Sequence, residues 1–235
     1  MDPNQPAPDP GQLILIDKPR EWTSFDVVNK IRRACQIKKI GHAGTLDPLA
    51  TGLLILCTGK MTKQIDSYQA QEKEYTGTLV LGKTTPSVDL ETEFDAEFDV
   101  SGITPEQIRA AAAQLTGEIQ QIPPIYSAVR VNGERLYERA RRGETAEQVE
   151  GGIKSRTVTV STFEVLTDNF PAIDFRIVSS KGTYIRSLVR DLGLLLDNGA
   201  YMSALRRTRI GDYEVNDAQT VEGFIEQYLQ RVDSQ

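Results

Sequence analysis

Apolar residues along the chain recur at two spacings. Residues 13–17 (LILID) form a short apolar run before the turn pair Lys18-Pro19, which predicts a strand. Val27, Val28, Ile31 and Ala34 then follow helical spacing behind a possible Thr23 or Ser24 cap, which predicts a helix to about Cys35. Gly and Pro punctuate residues 37–50, which read as a loop. Residues 53–57 read as a buried strand, 61–68 as a short helix and 75–81 as another strand. The acidic stretch 87–103 reads as a surface connection. Pro105 opens a helix with Ile108, Ala111, Ala112 and Leu115 on one face. A strand is predicted at 127–131, a turn at Asn132-Gly133 and a helix at 135–142. Residues 144–152 lack apolar periodicity and carry adjacent glycines, so a mobile loop is expected there. Residues 157–166 and 173–178 predict an antiparallel pair, the second alternating Ile173, Phe175 and Ile177 with Asp174 and Arg176. An amphipathic helix at 183–196, a strand region at 203–215 and a helix at 221–232 complete the pattern. The order predicts an α+β (mixed α/β) fold, with one largely antiparallel sheet flanked by helices and no clean domain boundary.

Composition narrows the picture. The 235 residues allow one large domain or two small ones, and 39% hydrophobic with 26% charged residues is ordinary for a globular chain. No apolar run approaches the ~18–20 residues that span a bilayer. Residues 1–11 (MDPNQPAPDPG) lack the basic and apolar regions of a signal peptide and are expected to be a disordered leader. The two cysteines, Cys35 and Cys57, form no Cys-x-x-Cys pair, so buried free thiols in a reducing cytoplasm are the simplest reading. The single histidine, His42, argues against a His-rich metal site and leaves one candidate base for a Ser-His or Cys-His hydrolase. The net charge of −6 counts against a nucleic-acid partner until its distribution is considered. Lys30, Arg32, Arg33, Lys38 and Lys39 are interrupted by no acid. Lys181, Arg186, Arg190, Arg206, Arg207 and Arg209 face only Asp191 and Asp197. The acids gather at 89–106, so a basic face and an acidic back are possible, as is plain surface solvation.

The densest signal is residues 39–54, KIGHAGTLDPLATGLL. Gly41 and Gly44 permit unusual backbone angles and close approach to a ligand. Pro48 stiffens the chain just after Asp47, and Gly52 lets the returning strand pack closely. Such a loop presents one carboxylate from a supported position. It equally fits a turn in which Asp47 bonds nearby backbone amides.

The stretch GHAGTLDPLATGLL resembles the signature of the TruB family of pseudouridine synthases. Further segments match that family in order: ILIDKP (14–19) with Trp22-Thr23-Ser24, Lys73-Glu74-Tyr75, IPPIYSA (122–128), VNGERLY (131–137), SKGTYIR (180–186) and Leu205-Arg206-Arg207. The resemblance covers about residues 12–222. It implies a pseudouridine synthase fold in one catalytic domain, 12–235, with an RNA-gripping insertion at about 124–156. Many members continue into a second RNA-binding domain of PUA type, and no such domain is expected here.

By resemblance, Asp47 is the nucleophile, Arg186 its ion-pair partner and Tyr75 the residue that stacks on the base. His42 is implied to contact RNA where bases have flipped out. Gly44, Thr45, Lys63, Tyr184, Leu205, Arg130 and Arg141 are implied substrate-binding positions. Lys63 equally suits a solvated helix, and core packing equally accounts for Tyr184 and Leu205. Glu134, Glu138, Glu144, Glu147 and Glu150 dilute the arginines of the insertion, so paired surface charges also explain that stretch. The implied reaction moves uracil from an N1–C1′ to a C5–C1′ linkage in the T-loop (position 55) of tRNA, after the base leaves its stack. It is redox-neutral, so no cofactor and no metal are expected. Attack at C1′ and attack at C6 both fit the residues. The implied partner is the tRNA T-stem-loop, with no membrane, no obligate protein partner and a monomeric chain. A synthase for another RNA and a non-catalytic RNA-binding protein of the same fold are the alternatives. The latter predicts loss of Asp47, Tyr75 or Arg186, all of which are present. A hydrolase lacks both a Gly-x-Ser-x-Gly elbow and a second histidine.

Overall fold

A computed structural model describes residues 11–149 and 151–233, so the expected leader, apart from Gly11, lies outside the described residues. The chain forms two compact units, one comprising residues up to 75 and from 206 onward, the other residues 76–205. The crossings fall inside strands, so no change in composition marks them.

In the first unit, β1 (Leu13–Lys18) leads to α1 (Ser24–Ala34), β2 (Ile40–Ala43) and β3 (Thr51–Thr58). Thr23 caps α1: its hydroxyl accepts from the Asp26 amide, and the Asp26 carboxylate accepts from the Thr23 amide. The buried face of α1, Val27, Val28 and Ile31, packs with Ile14, Ile16, Leu54, Leu56 and Phe224. β3 pairs antiparallel with β1, Lys18 opposite Gly52, and with β2, Ile40 opposite Thr58. Part of the expected 37–50 loop is therefore a strand. Its ladder uses backbone groups while only Ile40 and Ala43 bury, too short an apolar pattern to read from the sequence. A 3₁₀ turn at 59–64 and α2 (Ile65–Ala70) precede β4 (Lys73–Leu81).

The second unit contains β5 (Lys83–Thr84) paired with β6 (Ala96–Glu97), then α3 (Pro105–Gln114) and β7 (Gly117–Gln121). The strand expected at 127–131 shrinks to β8 (Arg130–Val131), joined to β9 (Glu134–Arg135) by Asn132 and Gly133 with φ of 53° and 83°. Both angles are the left-handed ones that an Asn-Gly hairpin turn requires. α4 (Leu136–Arg141) follows and, with Ile125 and Val149, closes a small apolar cluster of its own. β10 (Arg156–Leu166) pairs antiparallel with both β11 (Ala172–Ser179) and β7. α5 (Ile185–Leu195) then buries Ile185, Leu188, Val189 and Leu192. The acidic stretch is not simply a surface connection: Ser87, Val88 and Asp89 are buried, and the Val88 carbonyl accepts from the Met202 amide.

β12 (Ala200–Ile210) carries the chain back to the first unit, where Arg206 and Arg207 pair parallel with Thr51 and Gly52 of β3. β13 (Tyr213–Glu214) and α6 (Val221–Asp233) end the described chain. The fold is mixed α/β with mostly antiparallel strands, as the apolar pattern predicts.

Candidate active site

The loop between β2 and β3 is held through its backbone at almost every turn. Ser24 Oγ accepts from the Leu46 amide at 2.9 Å and donates to the Leu46 carbonyl at 3.3 Å. The Ala50 amide donates to the Asp47 carbonyl at 3.1 Å, and the Glu21 amide to the Pro48 carbonyl at 2.8 Å. Lys18, fully buried, donates from Nζ to the carbonyls of Pro19, Trp22 and Pro48. Arg207, also fully buried, donates from Nε to the Leu53 carbonyl at 2.8 Å and from Nη2 to the Gly44 carbonyl at 3.1 Å. Asp47 is half-buried on this scaffold, so its carboxylate is presented rather than sealed.

The electrostatics follow from burial. Burial pushes the Lys18 ammonium down to about 8, with the Asp47 carboxylate acting in the opposite sense and the Arg207 guanidinium adding to the depression. The His42 imidazole is also held below its ordinary value, first by burial and then by Arg207, which favours its neutral form. Its Nδ1 is buried and has no hydrogen-bond partner among the described residues. Gly44, with φ of 88°, supplies the backbone angle before the exposed Thr45. Tyr75 is buried on β4 in this same unit.

Arg186 begins α5 in the second unit. It is 4% exposed and donates to the carbonyls of Ser87 (2.9 Å) and Tyr126 (2.8 Å). Its Nε lies 3.7 Å from Asp89 Oδ2, an ion pair buried on both sides. Asp89 was invisible in the sequence, where it is one acid among seven. Tyr184, half-buried, exchanges two hydrogen bonds with buried Gln121, and the Arg156 guanidinium sits 4.5 Å from its ring centroid. Leu205 is buried in β12.

The RNA-facing candidates divide. Lys63, Arg130 and Arg141 are exposed, as are Lys30, Arg33, Lys38 and Lys39. In the second basic segment only Lys181 is exposed. Arg186 and Arg207 are buried there, and Arg190, Arg206 and Arg209 pair with Asp191, Asp17 and Glu72. That segment therefore divides between two buried guanidinium groups, three partly exposed ion pairs and the exposed Lys181. In the insertion, Arg139 is buried between Glu134 and Glu144, so paired charges explain part of it. The Arg135 and Arg141 guanidinium groups lie 5.9 and 5.5 Å from the Tyr137 ring centroid. The stretch expected to be a mobile loop contains a 3₁₀ turn at 146–148 and the buried Val149.

In backbone, the chain is similar to a chain in the crystal structure of a Cbf5-Nop10-Gar1 complex, with a TM-score of 0.72 and 30% identity, covering 95% of this chain and 56% of that one. A chain in an H/ACA RNP bound to a substrate RNA containing 2′-deoxyuridine gives a TM-score of 0.68 and 28% identity, covering 95% and 55%. This chain thus spans just over half of each of those proteins. The class is that of the pseudouridylate synthases: residues 32–185 match the family described as TruB family pseudouridylate synthase (N terminal domain). Residues 186–235 match the tRNA pseudouridylate synthase B C-terminal domain. The tRNA pseudouridine synthase B of Flavobacterium johnsoniae is 53% identical over 215 residues, covering 88% of this chain and 92% of that protein. That of Phocaeicola vulgatus is 50% identical over 222 residues, covering 92% of each. The chain belongs to the TruB family of pseudouridylate synthases.

Proposed function

We propose that this protein isomerises uridine to pseudouridine in the T-loop of tRNA, at position 55, with Asp47 as the nucleophile. One observation carries the reading: the GHAGTLDPLATG loop, held through its backbone by Lys18, Ser24 and Arg207, presents a single half-buried carboxylate. Such pre-organisation lets a carboxylate act with little rearrangement at the moment of reaction. The names of the relatives, tRNA pseudouridine synthase B, support the substrate and the reaction.

In the proposed sequence the target uridine leaves its stack. Asp47 bonds transiently to C1′ or to C6, the N1–C1′ bond breaks, the uracil turns, C5 bonds to C1′, and the bond to Asp47 breaks to return its carboxylate. The proton on C5 leaves and N1 regains one, so atoms and charge balance without a redox partner or cofactor. Arg186, fixed by Ser87, Tyr126 and Asp89, pairs with the Asp47 carboxylate and keeps it ionised and oriented. Tyr75 stacks on the flipped base. Neutral His42, with Gly44, Thr45, Lys63, Tyr184 and Leu205, lines the RNA path. Arg130 and Arg141 of the 124–156 insertion hold the RNA backbone. The chain works as a monomer without an obligate protein partner. Two buried free thiols and no described helix long and apolar enough to cross a membrane suit a cytoplasmic setting.

Unmodified tRNA incubated with the protein and mapped by carbodiimide treatment and primer extension tests the reading. A single new stop at the T-loop uridine is expected. A stop elsewhere, or none, overturns the assignment of the site.

A further inference from the structure

Arg207 heads the fully buried side chains by volume. Burying a guanidinium is costly, and a residue serving only to fill space there would be apolar. Among the described residues no carboxylate forms an ion pair with it. Its donors go to two carbonyls instead, Gly44 at one end of the Asp47 loop and Leu53 at the other. Its backbone pairs with Gly52, so closely that a Cβ on Gly52 would lie 2.2 Å from the Arg207 carbonyl oxygen. One residue thus touches the chain at three points flanking Asp47: Gly44 where the loop leaves β2, and Gly52 and Leu53 where it has entered β3. The planar fork makes this possible, because two of its nitrogens donate in fixed, diverging directions, whereas a lysine offers one nitrogen.

We propose that Arg207 is a positioning residue that fixes both ends of the Asp47 loop and so delivers the carboxylate to the uridine in one orientation. The inference rests on the reading of Asp47 as nucleophile. It acts through the loop and not by contact with RNA, so it should alter the chemical step and leave tRNA binding largely intact.

The test compares wild type, Arg207→Lys, Arg207→Gln and Asp47→Asn in single-turnover assays on unmodified tRNA, with tRNA affinity and amide hydrogen exchange measured in parallel. Arg207→Lys keeps the charge and loses the fork. Its rate should fall about a hundredfold, the usual consequence of misplacing a reacting group by about 1 Å. Its Kd should stay within about threefold of wild type, and exchange should quicken in residues 44–53 more than elsewhere. An Arg207→Lys enzyme at the wild-type rate overturns the proposal. So does one whose rate and affinity fall in proportion, or one whose loop exchange is unchanged. Should Arg207→Lys fail to fold, Arg207→Gln, which retains one donor, carries the same comparison. Asp47→Asn separates the two readings: activity in that variant sinks the nucleophile, whereas an inactive Asp47→Asn beside a fully active Arg207→Lys sinks only the positioning role.

Discussion

Replacing Lys18 with methionine should change how stability depends on pH, and the size of the change follows from the structure. In the unfolded chain Lys18 titrates near its ordinary 10.5, while burial in the fold brings it to about 8. Between those values the unfolded chain binds a proton that the folded chain does not, so this group makes stability rise with pH across that window. At about 1.36 kcal/mol per pH unit, the interval from 10.5 to about 8 amounts to about 3 kcal/mol. Below pH 8 both states carry the charge, and the folded state bears the full cost of burying it. Methionine removes the titration and also the donor to the carbonyls of Pro19, Trp22 and Pro48. The absolute difference at pH 7 therefore combines two opposing effects, while its pH dependence belongs to Lys18 alone. Urea unfolding of both proteins at pH 7.5, 8.5, 9.5 and 10.5 measures it. The stability of wild type minus that of Lys18→Met should grow by about 3 kcal/mol over this range. A difference that stays level to within about 0.5 kcal/mol, or that shrinks, refutes the view that Lys18 is buried at the expense of its charge.

Asp89→Asn breaks the buried Arg186–Asp89 ion pair and should cost about 3–5 kcal/mol in urea unfolding together with most of the turnover; an unchanged rate would show that this pair does not support the site. Gly52→Ala places a Cβ 2.2 Å from the Arg207 carbonyl at φ of 102° and should abolish pseudouridine formation, whereas Gly102→Ala, which meets nothing within 4 Å, should leave it intact. Binding to tRNA should weaken as salt rises, because exposed Lys30, Arg33, Lys38, Lys39, Lys181, Arg130 and Arg141 release counterions from phosphates; a flat plot of log affinity against log salt excludes phosphate contacts by these residues.

Much of the fold was legible because its elements are amphipathic. The buried faces of α1 and α5 and the alternation of β11 follow directly from apolar spacing. The loop carrying Asp47 was legible from its glycines and proline. What supports that loop was harder to see, although part of the signal was present. Lys18 falls in the buried phase of β1 behind Ile14 and Ile16, and Arg207 shares its phase in β12 with Leu205. A cation in the inward phase of a strand is a buried-polar candidate, although Lys18 also reads as half of a turn and Arg207 as part of a basic segment. Asp89 gave no such sign, because the contacts that bury it come from residues nearly a hundred positions away. The second basic segment shows the same effect. Counting charges cannot tell a guanidinium in water from one whose carboxylate or carbonyl partner arrives from elsewhere in the chain.

The central claim is that Asp47 performs the chemistry on a loop that the rest of the first unit holds still. Asp47→Asn preserves the shape of the side chain and the Ala50–Asp47 backbone bond while removing the nucleophilic oxygen. Single-turnover pseudouridine formation on unmodified tRNA, measured with enzyme in excess and beside a tRNA affinity determination, tests the claim most directly. The account predicts no product above background at wild-type-like affinity; product formed by Asp47→Asn at a measurable fraction of the wild-type rate would contradict it.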